Sequence, residues 1–537
     1  MTMTETRPEP PGTDSAAVVP PVAPPPPAGL AGWLTTYDHK VIGRLFVVTS
    51  LLFLVVGGGA GAVLGVERID SGLQVLGEGT FAQVYTLHGE VAVLLFLVPF
   101  FLGLATYLVP LQVGAAGIAF PRGSATAYWA YLVSGLMLFG AYAADGGVDG
   151  GSAVGTDLYL LSLAMLALAT SLALVSILTT AVALRAPGMS MVRTPLFTWS
   201  MVVGGGLTLL ATPVLLGRLI ELYILNHFGG DVAAVGAFGQ IAWFWSLPQV
   251  YVLAVPAMGV ALEIVPVLSR ARLRRHVSGI AVIGFSGILG FGAWAQVEST
   301  FDDTLYVLAG LVAVLPALAL FGLLGDSLRR GGFARKAPLL LALGAAVHLF
   351  LGALAGGISV IPGLELGGTV WAAAQVHYTL YGGATLAAFA ALWYWSPKLW
   401  GVHLSDGAGT AVFLLTFWGA VLLAAPDLLN GLSDQTLMAT DLNEGGLATI
   451  LNGASGGGGA FGVLGVLVAV TATLGAAAGR GTRALADPWE ANTLEWATTS
   501  PPPPHNFDGP VLAVTSAAPL ADEREHARGP APSQETR

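Results

Sequence analysis

The sequence predicts an all-α membrane protein, a bundle of about twelve transmembrane helices with both termini in the cytoplasm. Three observations predict it. Of 537 residues, 55% are hydrophobic and only 10% charged, against roughly 25% charged in soluble domains. Apolar runs of about 20 residues, long enough to cross a bilayer as helices, recur along almost the whole chain. Basic residues collect in alternate loops, which gives every span a direction.

Residues 1–32 are rich in Pro, Ala, Thr and Glu and include the run Pro24 to Pro27. They lack the basic start and early apolar core of a signal peptide and read as a disordered tail. The apolar segments follow at 41–65, 83–109, 127–145, 157–184, 198–225, 241–267, 277–297, 304–325, 338–361, 369–395, 409–426 and 459–479. Glycine patches inside them, such as Gly57–Gly59 and Gly204–Gly206, allow close helix packing. Lys40 and Arg44 precede the first segment, whereas Asp70 and Glu78 follow it. Asp149 follows the third segment, and Arg185 and Arg193 the fourth. Arg270, Arg272, Arg274 and Arg275 follow the sixth, Asp302 and Asp303 the seventh. Arg329, Arg330, Arg335 and Lys336 follow the eighth, Asp427, Asp434 and Asp441 the eleventh, Arg480 and Arg483 the twelfth. All the basic loops fall on one side, the cytoplasmic one. Residues 508–537, Pro- and Ala-rich with mixed charge, read as a second disordered tail.

The chain has no cysteine. That excludes disulfides, thiolate zinc sites, iron–sulfur clusters and covalently attached c-type heme. A net charge of −10 with no basic stripe excludes nucleic acid as a partner; the surrounding partner is the lipid bilayer.

Of nine histidines, His88, His348 and His377 lie inside strongly apolar stretches. An ionisable side chain in a spanning segment is costly without a partner and marks a functional site by default. His88 lies about five residues into the second segment and His377 about eight into the tenth. Both segments run inward from the outer side, so at ~1.5 Å per residue both rings lie roughly 7–12 Å below that surface. Two imidazoles at matching depth either ligate one iron or are polar core residues bonded to neighbouring backbone. His348, near the middle of the ninth segment, has no evident partner and reads as a core histidine. Glu90, two residues after His88, reads as an interhelical contact. Arg218 and Glu221 are spaced i, i+3 and can pair on one helix face.

A set of strings carries a resemblance. They are WLTTYDHK at 33–40, TLHG at 86–89, YLVPLQVGA at 107–115, AFPR at 119–122, RAPGMSMVRTPLFTW at 185–199, EIVPVLSR at 263–270, WSPKLWG at 395–401 and PWEANTLEW…SPPPPHNF at 488–507. In this order, on twelve apolar segments, residues 33–507 resemble subunit I of the heme–copper oxidases, the main subunit of cytochrome c oxidases. The resemblance implies a twelve-helix domain in the plasma membrane and a place in the respiratory electron-transport chain. It implies that His88 and His377 are the axial ligands of a low-spin heme.

The other ligand positions of the family are changed. Leu247 stands where the family has a copper-ligating histidine, and Gln249 where it has a proton-donating glutamate, although Tyr251 remains. Gln296 and Val297 replace an adjacent histidine pair, and Gln375 replaces the high-spin heme ligand. Leu and Val offer a metal no lone pair, and Gln is a weak neutral donor for copper. The acidic proton-uptake residue falls on Gly117, the intramembrane lysine near Leu320, and the magnesium-binding His–Asp pair on Gly367 and Gly368. The arginines that hold heme propionates have no counterpart between 427 and 458. The arginine that contacts a formyl group falls near Gly65, with Arg68 close by but offset, so an a-type or a b-type heme is equally compatible. Arg218 is a candidate propionate contact.

The expectation is a single-heme electron-transfer subunit that does not reduce oxygen, with copper and high-spin heme absent. A subunit II-like protein or other oxidase subunits would be its partners. The alternatives are a working oxidase that couples oxygen reduction to proton pumping, and a structural or assembly subunit without enzymatic activity.

Overall fold

The computed structural model describes residues 29–70, 75–148, 150–230, 232, 237–292, 303–437, 442 and 445–528, with only the backbone over 237–249 and at 251. By backbone contacts the chain divides at Thr36 and Tyr37. In the first unit, α1 (Gly29–Thr35) is a short helix that takes in residues 29–32 of the expected tail; residues 1–28 lie outside the described residues.

The second unit is helical almost throughout. It runs α2 (His39–Glu67), α3 (Glu78–Glu90), a π-helical stretch (Val91–Leu97), α4 (Val98–Gln112), α5 (Pro121–Ala143), α6 (Ala153–Ala183), α7 (Leu196–His227) and α8 (Ala237–Leu268). Then come α9 (His276–Gly292), α10 (Asp303–Val312), α11 (Val314–Gly331), α12 (Ala337–Ser359) and α13 (Val370–Val376). A second π-helical stretch (His377–Thr385) leads into α14 (Leu386–Trp400), followed by α15 (Asp406–Gly431), α16 (Leu447–Ala477) and α17 (Pro519–Arg528). Val402–His403 pairs with Thr482–Arg483 as a two-residue antiparallel ladder.

Among the described residues, eight helices are long and apolar enough to cross a membrane: His39–Glu67, Gly79–Gln112, Ala153–Ala183, Leu196–His227, Val307–Gly331, Ala337–Ser359, Asp406–Gly431 and Leu447–Ala477. Val252–Leu268 and His276–Gly290 are shorter apolar helices. The last long helix starts twelve residues earlier than its hydropathy indicates. Its first turns contain Gly456–Gly459, which cost helix propensity but permit contact with two neighbours. A Cβ on Gly456 would stand 2.8 Å from the Gly65 carbonyl, and one on Gly458 would overlap the backbone of α15. Sequence neighbours pack side by side, and α16 returns to pack on α2 as well as α15.

The strings shared with the oxidases meet at one end of the bundle, and their work there is structural. His39 bridges the Thr106 carbonyl and Asn506 at 3.0 Å each. Lys40 donates to the Pro504 carbonyl at 3.0 Å and to Asn506 at 3.2 Å. Lys398 donates to the carbonyls of Thr498 (2.7 Å) and Thr499 (3.2 Å). Gln112 donates to Glu495 at 3.1 Å and accepts from Thr198 at 2.7 Å, and Trp395 donates to the same Glu495 oxygen at 3.2 Å. The segment 488–507 thus closes the helix ends by satisfying buried polar groups that would otherwise be costly.

The expected disordered tail is corrected over 508–528. Val514 is buried, its amide donates to the Pro187 carbonyl, and its own carbonyl accepts from Arg193. Helix α17 is held by Arg272 to Asp522 (3.1 Å) and Glu525 (3.0 Å), and by Arg524 to the carbonyls of Ala491 and Glu490. Composition reported polarity here, but the basic loop residues supply partners that composition does not reveal. Residues 529–537 lie outside the described residues.

Burial holds the Glu495 carboxyl above its usual range, and its second oxygen has no hydrogen-bond partner. The folded chain therefore favours the protonated acid, a contribution present below the ordinary carboxyl pKa and lost as pH rises through the raised value. Glu495→Gln keeps an acceptor for Gln112 and Trp395. We expect its melting temperature in detergent to match the wild type at pH 5 and exceed it at pH 8. Equal destabilisation at both values would contradict this account.

Candidate heme-ligand site

The His88 helix packs antiparallel on α2, and glycine sets the closeness of the contact. Gly57 and Gly61 lie one turn apart on one face of α2. A Cβ on Gly57 would stand 2.9 Å from Val91 Cγ1, and one on Gly61 2.7 Å from His88 Cε1. The Gly57 carbonyl lies 2.8 Å from His88 Nδ1. A carbonyl only accepts, so Nδ1 carries the proton and Nε2 keeps its lone pair, the tautomer that binds a metal.

His377 opens the second π-helical stretch, after α13, whose N-cap Thr369 accepts from the Trp371 amide at 3.2 Å. Its Nδ1 is buried without a hydrogen-bond partner. His88 and Arg68 lie within electrostatic reach of it. The two histidines that the sequence singled out thus lie within electrostatic reach of each other. A further feature joins them: His377 opens a π-helical stretch, and His88 precedes one by three residues. Such stretches are rare and recur at functional sites, where the extra residue redirects the side chains.

Arg68 caps the end of α2 and pairs with Asp427 of α15, N···O 3.6 Å, with side chains 14% and 1% exposed. Tyr85, one turn before His88, lies within electrostatic reach of both. Neither Arg68 nor Asp427 is readable as a site residue from spacing, because their pairing joins positions 359 apart. Their only sequence signal is a charge at the edge of an apolar run.

The remaining candidates lie elsewhere. His348 is fully buried on α12, its ring centroid 5.6 Å from that of Tyr378 and 4.6 Å from that of Phe417, with neither nitrogen hydrogen-bonded. Glu90 accepts from Tyr142 of α5 at 2.9 Å and from Tyr159 of α6, an interhelical contact on the side of α3 away from His88. Arg218 forms its ion pair with Glu221 at 2.6 Å, on a helix that packs against α6, α8 and α9. Gln375 is half-buried on α13, and its carbonyl accepts from Thr379 at 2.9 Å. Leu247, Gln249 and Tyr251 fall where only the α8 backbone is described, and Gln296 and Val297 fall outside the described residues.

A bundle with eight described helices long and apolar enough to cross a membrane, and two histidines within it, defines a polytopic membrane protein. The family model described as cytochrome c and quinol oxidase polypeptide I matches residues 41–452. A Streptomyces coelicolor protein named cytochrome c oxidase subunit 1-beta is 33% identical over 524 residues, covering 92% of this chain and 90% of its own. A Corynebacterium efficiens cytochrome c oxidase subunit 1 is 30% identical over 508 residues, covering 89% and 87%. A heme-copper oxidase subunit I+III of Aeropyrum pernix is 30% identical over 518 residues, covering 89% of this chain and 62% of its own. The chain belongs to the heme–copper oxidase subunit I family, the respiratory oxidase subunits that bind heme within membrane helices.

Proposed function

We propose that this chain is a single-heme, electron-transferring subunit of a respiratory oxidase assembly that does not itself reduce oxygen. The observation that carries the proposal is the pair His88 and His377. In support, His88 has its Nδ1 proton committed to Gly57. His377 carries a buried, unbonded Nδ1, a desolvation of about 1–3 kcal/mol that no group among the described residues offsets. Gly61 leaves the His88 ring edge against bare α2 backbone. A low-spin heme held by both rings would supply one reversible electron. The chain's own part is to present two neutral imidazoles at one height and keep water from between them.

Oxygen reduction is a different matter of donors. Leu247, Gln296, Val297 and Gln375 provide no imidazole for copper or a second heme. The subunit would lie in the plasma membrane with twelve spans and both termini cytoplasmic. It would take electrons from a subunit II-like or other oxidase subunit, since a copper donor site needs cysteines that this chain lacks. Arg218 is the less favoured propionate contact, being already paired.

The test is a reduced-minus-oxidised difference spectrum of the purified chain, repeated under carbon monoxide, with copper analysis. A saturated bis-histidine iron leaves no site for carbon monoxide. One heme per chain, no carbon monoxide response and no stoichiometric copper is the expected result. A carbon monoxide-reactive heme with equimolar copper would mean a working oxidase, and no heme at all would mean an assembly subunit.

A further inference from the structure

Resting on the heme assignment above, we infer that Arg68, held by Asp427, is the anchor for a carboxylate of the bound cofactor, in place of the arginine pair that this chain lacks. The first observation is an ion pair that is buried yet poorly made. A charge-assisted Arg–carboxylate bond closes to about 2.7–2.9 Å and is commonly bidentate. Arg68 and Asp427 stand at 3.6 Å, on a single nitrogen. Among the described residues, Arg68 Nε and both carboxylate oxygens of Asp427 find no hydrogen-bond partner. Ser455, which faces Asp427, donates to the Leu423 carbonyl at 3.1 Å. A buried guanidinium in this state retains donors in a fixed planar fork, suited to a second carboxylate.

The second observation is position. Gly57, Gly61 and Arg68 are spaced by four and then seven residues, which places them on one face of α2. The two glycines touch the His88 side of the neighbouring helix. Arg68 lies about 10 Å further along that same face, at ~1.5 Å per residue. It is within electrostatic reach of His377, and Arg68 and Asp427 are both within reach of Tyr85. The cation thus stands beyond the histidine pair, at the α2 C-terminal end of the site, with Asp427 behind it. An acidic group of a cofactor ligated by both rings, directed toward that end, meets Arg68. Arg218 has no such relation: its partner is the adjacent, exposed Glu221 on its own helix.

The full chain is purified as wild type, Arg68→Gln, Arg68→Lys, Asp427→Asn and His88→Ala, and its heme-to-protein ratio and heme midpoint potential are measured. Arg68→Gln should weaken heme retention roughly 10-fold or more, as removal of an outer-shell partner does. It should also lower the potential of the heme that remains, because a cation that favours the added electron is gone. Arg68→Lys should restore most of the potential, and Asp427→Asn should raise it. A role confined to bundle stability would move the melting temperature and leave the potential in place. Should Arg68→Gln fail to fold, Asp427→Asn decides, its unchanged potential overturning the anchor. Full heme with an unchanged potential in Arg68→Gln overturns the anchor while leaving the heme assignment standing. An unchanged low-spin spectrum in His88→Ala, with no new carbon monoxide binding, overturns the heme assignment instead.

Discussion

His88→Ala is expected to abolish the low-spin heme signal proposed for the purified protein, and His377→Ala to do the same. This is the largest effect expected of any single substitution on the cofactor, since each would remove one of the two proposed bonds to the iron. Two outcomes are consistent with ligation. Either the heme is lost, or it is retained on the remaining histidine with one open position and begins to bind carbon monoxide, which the wild type does not. The second is the more informative, because a new carbon monoxide band cannot arise from loss of a merely structural histidine. His348→Ala serves as the comparison. Its ring is fully buried with neither nitrogen hydrogen-bonded, but it packs between Tyr378 and Phe417. Removing it should open a cavity and cost a few kcal/mol, as truncation of a large core side chain does, with the spectrum unchanged. A low-spin spectrum preserved in both His88→Ala and His377→Ala would remove the basis for a bis-histidine heme.

The legible parts of this chain are those whose signal is local. Hydropathy places the helices because each apolar run reports its own burial, and it fails at Gly456–Gly459, where the reason for a helix lies on its neighbours. The histidine pair is visible because a histidine in an apolar run is anomalous in isolation. Its supporting geometry is not visible. That Gly57 offers a carbonyl to His88, or that Arg68 meets Asp427, depends on which helix faces of distant segments come together. The π-helical stretches after His88 and His377 are likewise unmarked, since a shift of one hydrogen bond leaves the hydropathy pattern intact. The shared strings around Gln112, Glu263, Lys398 and Asn506 show a subtler limit. They identify the family, yet what they build is a seam of buried hydrogen bonds at one end of the bundle. Their retention therefore fits a chain whose ligand positions have changed, because closing the helix ends and binding copper are separate demands.

Gly103→Val is expected to destabilise the bundle strongly, and it tests a close contact on the helix face that also meets His88. Helices α2 and α4 cross where Gly43 meets Gly103. A Cβ on Gly103 would stand 2.5 Å from Phe46 Cβ, 2.9 Å from the Gly43 carbonyl and 3.0 Å from the Val47 amide. A Cβ on Gly43 would stand 2.7 Å from the Gly103 carbonyl and 2.8 Å from Tyr107 Cβ. Two of the three neighbours of Gly103 are backbone, so no rotamer change can make room and the helices must move apart. Overpacking a tight interior costs about 1–3 kcal/mol, and here the lost contact extends along both helices, so the upper end is expected. The same antiparallel interface carries Gly57 against Val91 and Gly61 against His88 further along α2. Spreading α2 from α4 therefore also lengthens the Gly57–His88 hydrogen bond. Gly59→Val is the matched control: it lies on α2 with nothing within 4 Å of its Cβ position, and should melt within a degree or two of the wild type, since exposed substitutions stay within about 0.5 kcal/mol. Melting of the two variants in one detergent decides the matter. If Gly103→Val melts with Gly59→Val and keeps the wild-type heme ratio, then the two-glycine contact does not fix the register of these helices, and the placement of His88 must be held by something else.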